Sequence, residues 1–283
     1  MIASLLSDNP GITIFGFKIY AYALCIVSGM SAAFFLISLL VRRRNMSPDL
    51  FMTYFCVTLP IAIITTRLFY CITDAKMVTK PWEWFSIKSI RSGGLSIIGG
   101  ILGGVFGVAL VSYIKKVNFF RAGDCIVVGL LLAQAMGRWG NFANQEVYGA
   151  EVTNPALQWF PFAVHIDKDG TWHYAFFFYE SLANLIGALL IFLFVWKNPK
   201  KPNGVATAWY FMHYGAVRSI MEPLRDPEYI LSGGGVPWSL VFSLLLFLFG
   251  ASMMAFVLIR NRKKEGVLFG SLKGDPYAIT EYR

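Results

Sequence analysis

The sequence has few residues that could hold a metal ion or form a disulfide. Its four cysteines, Cys25, Cys56, Cys71 and Cys125, all lie in apolar stretches and form no CxxC pair. Cysteines in such surroundings usually act as small hydrophobic side chains. The three histidines do not have the spacing of metal ligands. We therefore expect no disulfide, no metal site and no cysteine nucleophile.

Charged residues are also scarce, and this scarcity excludes a soluble protein. Of the 283 residues, 14% are charged and 56% are hydrophobic, and the mean hydropathy is +0.57. Runs of about 20 apolar residues are typical of transmembrane helices. The sequence predicts an all-α integral membrane protein, a bundle of seven spans, with one membrane-embedded domain over residues 1–262. The expected spans are 18–41, 50–73, 93–114, 122–137, 175–196, 204–222 and 237–259.

Two features of transporters and secreted proteins are missing. No internal repeat resembles the inverted halves of many transporters. The first 17 residues lack the basic region and the cleavage site of a removed signal peptide.

Basic residues follow alternate spans and predict the orientation of the chain. Because cytoplasmic loops carry an excess of lysine and arginine, the N-terminus is expected outside and the C-terminus inside, with a polar cytoplasmic tail at 263–283. Such clusters attract anionic membrane lipids, so the net charge of +9 requires no nucleic-acid partner. The clusters are Arg42, Arg43 and Arg44; Lys115, Lys116 and Arg121; Lys197, Lys200 and Lys201; and Arg260, Arg262, Lys263 and Lys264.

One segment at the end of the fourth predicted span combines polar residues with glycines. Residues 137–149 contain Arg138, Asn141 and Glu146, and Gly149 is one of three glycines there. Polar groups at a membrane boundary are costly, and glycine lets a backbone turn sharply and approach a ligand. The pattern predicts a polar binding loop at bilayer depth rather than the end of a helix.

Further charged residues gather at the outer ends of the predicted spans. Tyr214, Arg218, Glu222 and Arg225 follow one another at steps of four, four and three, so they share one helical face. An arginine at the centre of a span costs about 2.5–3.5 kcal/mol on insertion scales. Arg218 and Glu222 alone would be explained equally well by a structural ion pair. The charged residues near the outer ends of other spans are Arg67, Arg138, Glu146 and Glu180. Taken together with the residues of the sixth span, they indicate a pocket for an anionic group near the outer leaflet.

Glycines are concentrated at the start of the third span. Gly99 and Gly100 begin overlapping GxxxG spacings, which favour close helix packing. The pair Gly93 and Gly94 also leaves room for a lipid head group to approach the backbone.

Together these motifs resemble the prolipoprotein diacylglyceryl transferase family, from about Phe17 to Arg262. Residues 137–149 are similar to the family signature, with Ala143 where a larger aliphatic residue is usual. Tyr22 stands where the family has its first-span tyrosine. The other matching residues are Arg67, Gly93, Gly94, Gly99, Gly100, Tyr179, Glu180, Tyr214, Arg218, Glu222 and Arg225.

The resemblance implies a cofactor-independent transferase of the bacterial cytoplasmic membrane, with a site open to lipid. Members transfer the diacylglyceryl group of phosphatidylglycerol to the lipobox cysteine in a preprolipoprotein signal peptide. A thioether forms and glycerol 1-phosphate leaves.

The implied chemistry gives the candidate residues their roles. Arginine forks bind phosphate oxygens and stabilise developing charge, so Arg138 and Arg218 are expected on the phosphate, with a hydrogen bond from Asn141. The thiol must lose its proton before it attacks, and Glu146 or Glu222 either accepts that proton or orients the arginines. The expected catalytic set also includes Tyr22 and Tyr214. The expected lipid-binding set also includes Arg67, Gly93, Gly94, Gly99, Gly100, Gly149, Glu180 and Arg225.

One position departs from the family pattern. Many members have a histidine, sometimes a tyrosine, immediately before the Gly99-Gly100 pair, and this chain has Ile98. Isoleucine can neither transfer a proton nor bind phosphate. Two other hypotheses therefore remain: a diverged relative that binds anionic lipid or signal peptide without turnover and, more distantly, an anion transporter.

Overall fold

Seven long helices make up most of the part of the chain that the structure describes. The computed structural model describes residues 11–14, 17–86, 89, 94–199, 201–226, 232–233 and 236–262. Gly93 and the predicted tail at 263–283 lie outside these residues. The helices are α1 (Ala21–Arg43), α2 (Pro48–Thr73), α3 (Ile97–Lys115), α4 (Phe119–Ala143), α5 (Phe176–Lys197), α6 (Val205–Met221) and α7 (Trp238–Arg262).

Six of the helices in the described part of the chain are long and apolar enough to cross a membrane. The exception is α6, which has 17 residues. Its α-helix ends just before a 3₁₀ turn at Glu222–Leu224, because Pro223 cannot donate the hydrogen bond that would continue it.

Short hairpins add β-structure that the all-helical prediction did not include. As a consequence, α1 begins at Ala21 and not at the predicted residue 18. Three antiparallel pairs lie within the described residues: β1 (Gly11–Ile14) with β2 (Phe17–Tyr20), β3 (Ala163–Ile166) with β4 (Thr171–Tyr174), and β5 (Ser232–Gly233) with β6 (Val236–Pro237).

The prediction of a loop over residues 137–143 is wrong, because α4 continues to Ala143. A glycine inside a helix costs only about 1 kcal/mol, whereas each unpaired backbone group at bilayer depth costs several. Continuing the helix therefore satisfies the backbone at lower cost. It also places Arg138 and Asn141, three residues apart, on one helical face.

The described residues form two compact units. The first contains the residues up to Leu40 and those from Asp124 onward, and the second contains the residues from Val41 to Gly123. Helix α6 packs against α5 and α7 in the first unit, and α2 packs against α3 in the second.

In the first unit, Asp124 of α4 holds the start of α6. Its carboxylate accepts hydrogen bonds from the backbone N–H groups of Gly204 and Thr207, each at 2.9 Å, and from the Thr207 hydroxyl at 2.8 Å. The first N–H groups of a helix have no partner within the helix, and a negative charge is favourable at that end. This fully buried carboxylate therefore satisfies and orients the helix terminus.

In the second unit, glycines allow α3 to lie directly against α2. A Cβ at Gly99 or Gly103 would collide with Thr65, and one at Gly107 would lie 2.9 Å from the Cα of Thr58. Gly104 has no atom within 4 Å of such a Cβ. The repeat of glycine at every fourth residue is therefore a packing surface.

We expect Gly103→Ala to lower the free energy of unfolding by about 1–3 kcal/mol, because the added methyl group overpacks the contact with α2. Gly104→Ala is the matched control on the same helix and should leave stability unchanged or slightly raised. The midpoint of thermal unfolding in detergent would compare them. Equal midpoints for the two variants would contradict the packing role.

Candidate active site

A buried carboxylate on α5 joins two arginines from other helices. Glu180 Oε1 accepts a hydrogen bond of 2.8 Å from Nη1 of Arg218, on α6. Its Oε2 lies 2.5 Å from Nε of Arg138, on α4, as an ion pair whose hydrogen-bond alignment is poor. The Glu180 side chain is 2% exposed, so this negative charge is available only to its protein partners.

A second buried carboxylate, Glu222, continues the network at the end of α6. Its Oε2 accepts a hydrogen bond of 2.9 Å from Nη2 of Arg218 and lies 3.8 Å from Nη1 of Arg225. Its Oε1 accepts a hydrogen bond from the hydroxyl of Ser239, in the first turn of α7. The predicted pairing of Arg218 with Glu222 is therefore present, and it is one link in a longer chain of charges.

The network contains more positive than negative charge. Arg138, Arg218 and Arg225 share two carboxylates, which leaves one positive charge in excess. Nη1 and Nη2 of Arg138 have no hydrogen-bond partner among the residues that the structure describes. The Arg138 side chain is 19% exposed, so this fork is held by its Nε and is open for an anion.

Among the described residues, Glu146 takes part in none of the ion pairs of the network. Within the described part of the chain its carboxylate accepts one long hydrogen bond, 3.4 Å from Nδ2 of Asn144. Tyr22 of α1 is within electrostatic reach of both Glu146 and Arg138. The Tyr22 ring lies against Gly140, where a Cβ would be 2.8 Å away. Because Gly140 has no side chain, the Tyr22 ring can pack directly against α4.

The backbone around Glu146 is strained. Gln145 has φ 49° and Val147 has φ 57°, a region that side chains rarely adopt and that is worst for a β-branched residue. Such conformations cost about 1–3 kcal/mol each and persist only where the surroundings hold them.

The end of the signature segment is fixed by backbone contacts. Gly149 N–H donates to the Tyr174 carbonyl at 3.2 Å, and its carbonyl lies 2.8 Å from Nδ1 of His173. A Cβ at Gly149 would lie 2.7 Å from Cβ of Tyr174. Gly149 also pairs with Arg225 in a β-bridge. These contacts support a structural role, and the predicted contact of Gly149 with lipid stays a prediction.

In the second unit, Arg67 binds the loop that follows α2. Its guanidinium donates to the carbonyls of Trp84 and Gly94, each at 2.8 Å, and to the Ser89 hydroxyl at 2.5 Å. Gly94 has φ 79°, and a Cβ there would lie 2.9 Å from Nη1 of Arg67. These contacts support a loop-holding role, so lipid binding by Arg67, Gly94, Gly99 and Gly100 stays a prediction.

Other predicted residues complete this description. Tyr214 is within electrostatic reach of Arg218, and its ring stacks on Tyr210 with centroids 6.0 Å apart. Ile98 is 53% exposed in the first turn of α3. Among the described residues, no three His, Cys, Asp or Glu side chains are grouped closely enough for a metal ion.

Sequence reasoning missed Ser239, the hydroxyl partner of Glu222. It also missed Asp167 and Lys168, which form hydrogen bonds with the strained loop. A single serine at the start of an apolar span carries no distinguishing pattern. Its partner becomes visible only when α6 and α7 are packed together.

Known proteins resemble the chain over nearly its whole length. Residues 10–256 match the family model described as prolipoprotein diacylglyceryl transferase. The chain belongs to the prolipoprotein diacylglyceryl transferase family. It is also a multi-pass membrane protein, because family membership accompanies six helices in the described residues that are suited to crossing a bilayer.

Three relatives named as phosphatidylglycerol–prolipoprotein diacylglyceryl transferases illustrate the family. The protein from Streptococcus uberis is 34% identical over 264 residues, covering 91% of this chain and 96% of the relative. The protein from Streptococcus pneumoniae serotype 4 is 35% identical, covering 92% and 93%. That from Clostridium perfringens, numbered 1 in its name, is 29% identical, covering 92% and 99%.

Replacing Glu180 with glutamine should destabilise the protein strongly, because two largely buried arginines would lose their shared counter-charge. Breaking a buried ion pair from one side costs about 3–5 kcal/mol, which corresponds to a fall on the order of 10 °C in the thermal midpoint. Glu151→Gln removes the same charge from an exposed side chain and is the control. A midpoint for Glu180→Gln as high as that of the control would show that the network does not depend on this carboxylate.

Proposed function

We propose that this protein transfers the diacylglyceryl group of phosphatidylglycerol to the lipobox cysteine of a preprolipoprotein. The observation that carries the proposal is the open fork of Arg138 within a network that has one excess positive charge. Such a site suits a phosphodiester and the additional charge that develops as a phosphate leaves. The relatives' names specify phosphatidylglycerol and prolipoprotein, and this supports the same substrates here.

In the proposed reaction, the cysteine sulfur attacks the glycerol carbon that bears the phosphate ester. A carbon–sulfur bond forms, the carbon–oxygen bond breaks, and its electron pair leaves with glycerol 1-phosphate. The thiol proton passes to a base. The reaction uses no nucleophile of the enzyme and no cofactor.

The contacts of the polar residues support the following roles. Arg138 binds the phosphate with its two terminal nitrogens, and Arg218 and Arg225 supply neighbouring positive charge. Glu180 and Glu222 hold these arginines in place. Asn141, whose side-chain amide has no hydrogen-bond partner within the described residues, donates to a phosphate oxygen.

We further propose seven spans in the bacterial cytoplasmic membrane, with α6 as the seventh and the N-terminus outside. In the first unit, Arg138 and Glu222 lie at one end of the helices, whereas Lys197 and Arg262 end α5 and α7 on the opposite side. The positive-inside rule assigns the lysine and arginine end to the cytoplasm. The site then faces the outer leaflet, where a lipid-accessible pocket admits phosphatidylglycerol and the signal peptide.

The decisive experiment measures transfer of labelled diacylglyceryl from phosphatidylglycerol to a lipobox peptide by purified protein. Arg138→Ala should lower the rate by about 100-fold or more, the usual effect of removing one charge-stabilising donor, and Arg218→Ala should be similarly impaired. Arg138→Lys should also be impaired, because lysine keeps the charge and loses the fork. Lys197→Ala, an exposed cation at the other end of α5, should retain the wild-type rate.

Two outcomes would contradict the proposal. Folded wild-type protein that binds the lipid and makes no thioether would favour the non-catalytic relative. Wild-type rates in Arg138→Ala would remove the phosphate site from this network.

A further inference from the structure

The three glutamates near the site differ in how fully their carboxylates are occupied. Glu180 contacts two arginines, and Glu222 contacts two arginines and a serine hydroxyl. A proton added to either would weaken the ion pairs that hold Arg138 and Arg218. Glu146 has only the long contact with Asn144 among the described residues. It is therefore the carboxylate that can accept a proton without dismantling the phosphate site.

The turn between β3 and β4 forms hydrogen bonds with the strained segment immediately before Glu146. Gln145 is 6% exposed; its Nε2 donates to Oδ2 of Asp167 at 2.7 Å, and its Oε1 accepts from the Asp167 N–H at 3.0 Å. In the same turn, Nζ of Lys168 donates to the carbonyls of Asn144 and Gln145 at 2.9 and 3.3 Å. Four hydrogen bonds from two consecutive residues thus hold the positive φ of Gln145.

The hairpin can hold this loop because it is itself anchored. Val164 and Ile166 of β3 belong to a buried apolar cluster with Ala175 and Phe177, and Phe142 of α4 packs against it. On the other edge, the Val152 N–H donates to the Trp172 carbonyl. The turn that carries Asp167 is therefore tied to α4 and α5.

We propose that Glu146 is the base that takes the proton of the lipobox thiol, and that Asp167 and Lys168 are positioning residues that hold it there. This inference rests on the proposed function. The S–H proton moves to a Glu146 oxygen, the sulfur electron pair forms the bond to the glycerol carbon, and the carbon–oxygen pair leaves on glycerol 1-phosphate. Glu146 then releases its proton to the departing phosphate or to water.

The neighbouring charges support this assignment. A thiol has an ordinary pKa of about 8.5, well above that of a carboxylic acid, so a cation must stabilise the thiolate as it forms. Arg138 supplies that cation, and Tyr22 is within electrostatic reach of both Arg138 and Glu146. Hydrogen bonds from Gln145 and then His165 hold the pKa of the Asp167 carboxyl below its usual range. The Asp167 carboxylate therefore stays ionised throughout an assay between pH 6 and 9.

The test is the pH dependence of transfer by Glu146→Gln. If Glu146 is the base, this variant should lose about 100-fold in kcat at pH 6.5, because only spontaneously ionised thiol reacts. The deficit should shrink about tenfold for each pH unit up to the thiol pKa. Glu146→Asp, which keeps a carboxylate, should retain the wild-type shape of the profile at a lower rate. A deficit that is the same at every pH would overturn the base and assign Glu146 to holding the site.

The clamp is tested by Asp167→Ala, which removes one hydrogen bond to Gln145 and the charge beside Lys168. We expect kcat to fall about tenfold with the same pH-dependent recovery, and KM for phosphatidylglycerol to stay unchanged. Adding Val147→Gly should recover part of this loss, because glycine adopts positive φ without strain. Glu151→Ala, at the exposed edge of the hairpin, is the control. A normal kcat, or a loss only in KM, would overturn the clamp.

These outcomes are distinguishable from failure of the proposed function. If wild-type protein forms no thioether at any pH, the transferase assignment itself fails. If wild type transfers and Glu146→Gln matches it, only the assignment of the base fails. Thermal midpoints of all variants, measured in parallel, separate loss of folded protein from loss of chemistry.

Discussion

The site depends on one shared carboxylate. Glu180 holds Arg138 from α4 and Arg218 from α6 at the same time, so its position fixes both cations. A buried ion pair is costly to form, and an arginine inside a membrane span is costly unless it has a partner. Here the ion pairs between two carboxylates and three arginines offset both costs. The same shortage of negative charge leaves Arg138 with an open fork, so the network that stabilises the arginines also leaves them able to attract an anion.

Much of this arrangement was predictable, because the determining residues are rare in apolar spans. The four-residue spacing of Arg218 and Glu222 predicted their shared face, and they pair at 2.9 Å. The extent of α4 was mispredicted because polar residues and glycines in 137–143 indicated a loop, while the need to pair backbone groups kept the helix intact. The bonds between Gln145 and Asp167 join residues 22 positions apart. No local pattern specifies such a pair, since it follows from how the β3–β4 hairpin folds back.

Some glycines and arginines of the motifs have a structural role and others could contact lipid, and a sequence motif does not distinguish the two roles. Gly99 and Gly103 are required where α3 touches α2, and Arg67 binds the carbonyls of Trp84 and Gly94. A glycine needed for packing and a glycine needed for lipid access look identical in a sequence. The structure distinguishes them by what a Cβ would meet, as the open space at Gly104 shows.

A division of labour among the glutamates explains how such a site can manage charge during the proposed reaction. Two carboxylates pair with the arginines and keep them oriented, which is the preorganisation that stabilises developing charge without rearrangement. As the phosphate oxygen gains negative charge, Glu146 loses its own by accepting the thiol proton. The total charge around the arginines therefore changes little between bound lipid and departing glycerol 1-phosphate. In this scheme the strained loop holds the Glu146 carboxylate outside the ion pairs of the network. An ion pair with an arginine would make this carboxylate a weaker proton acceptor.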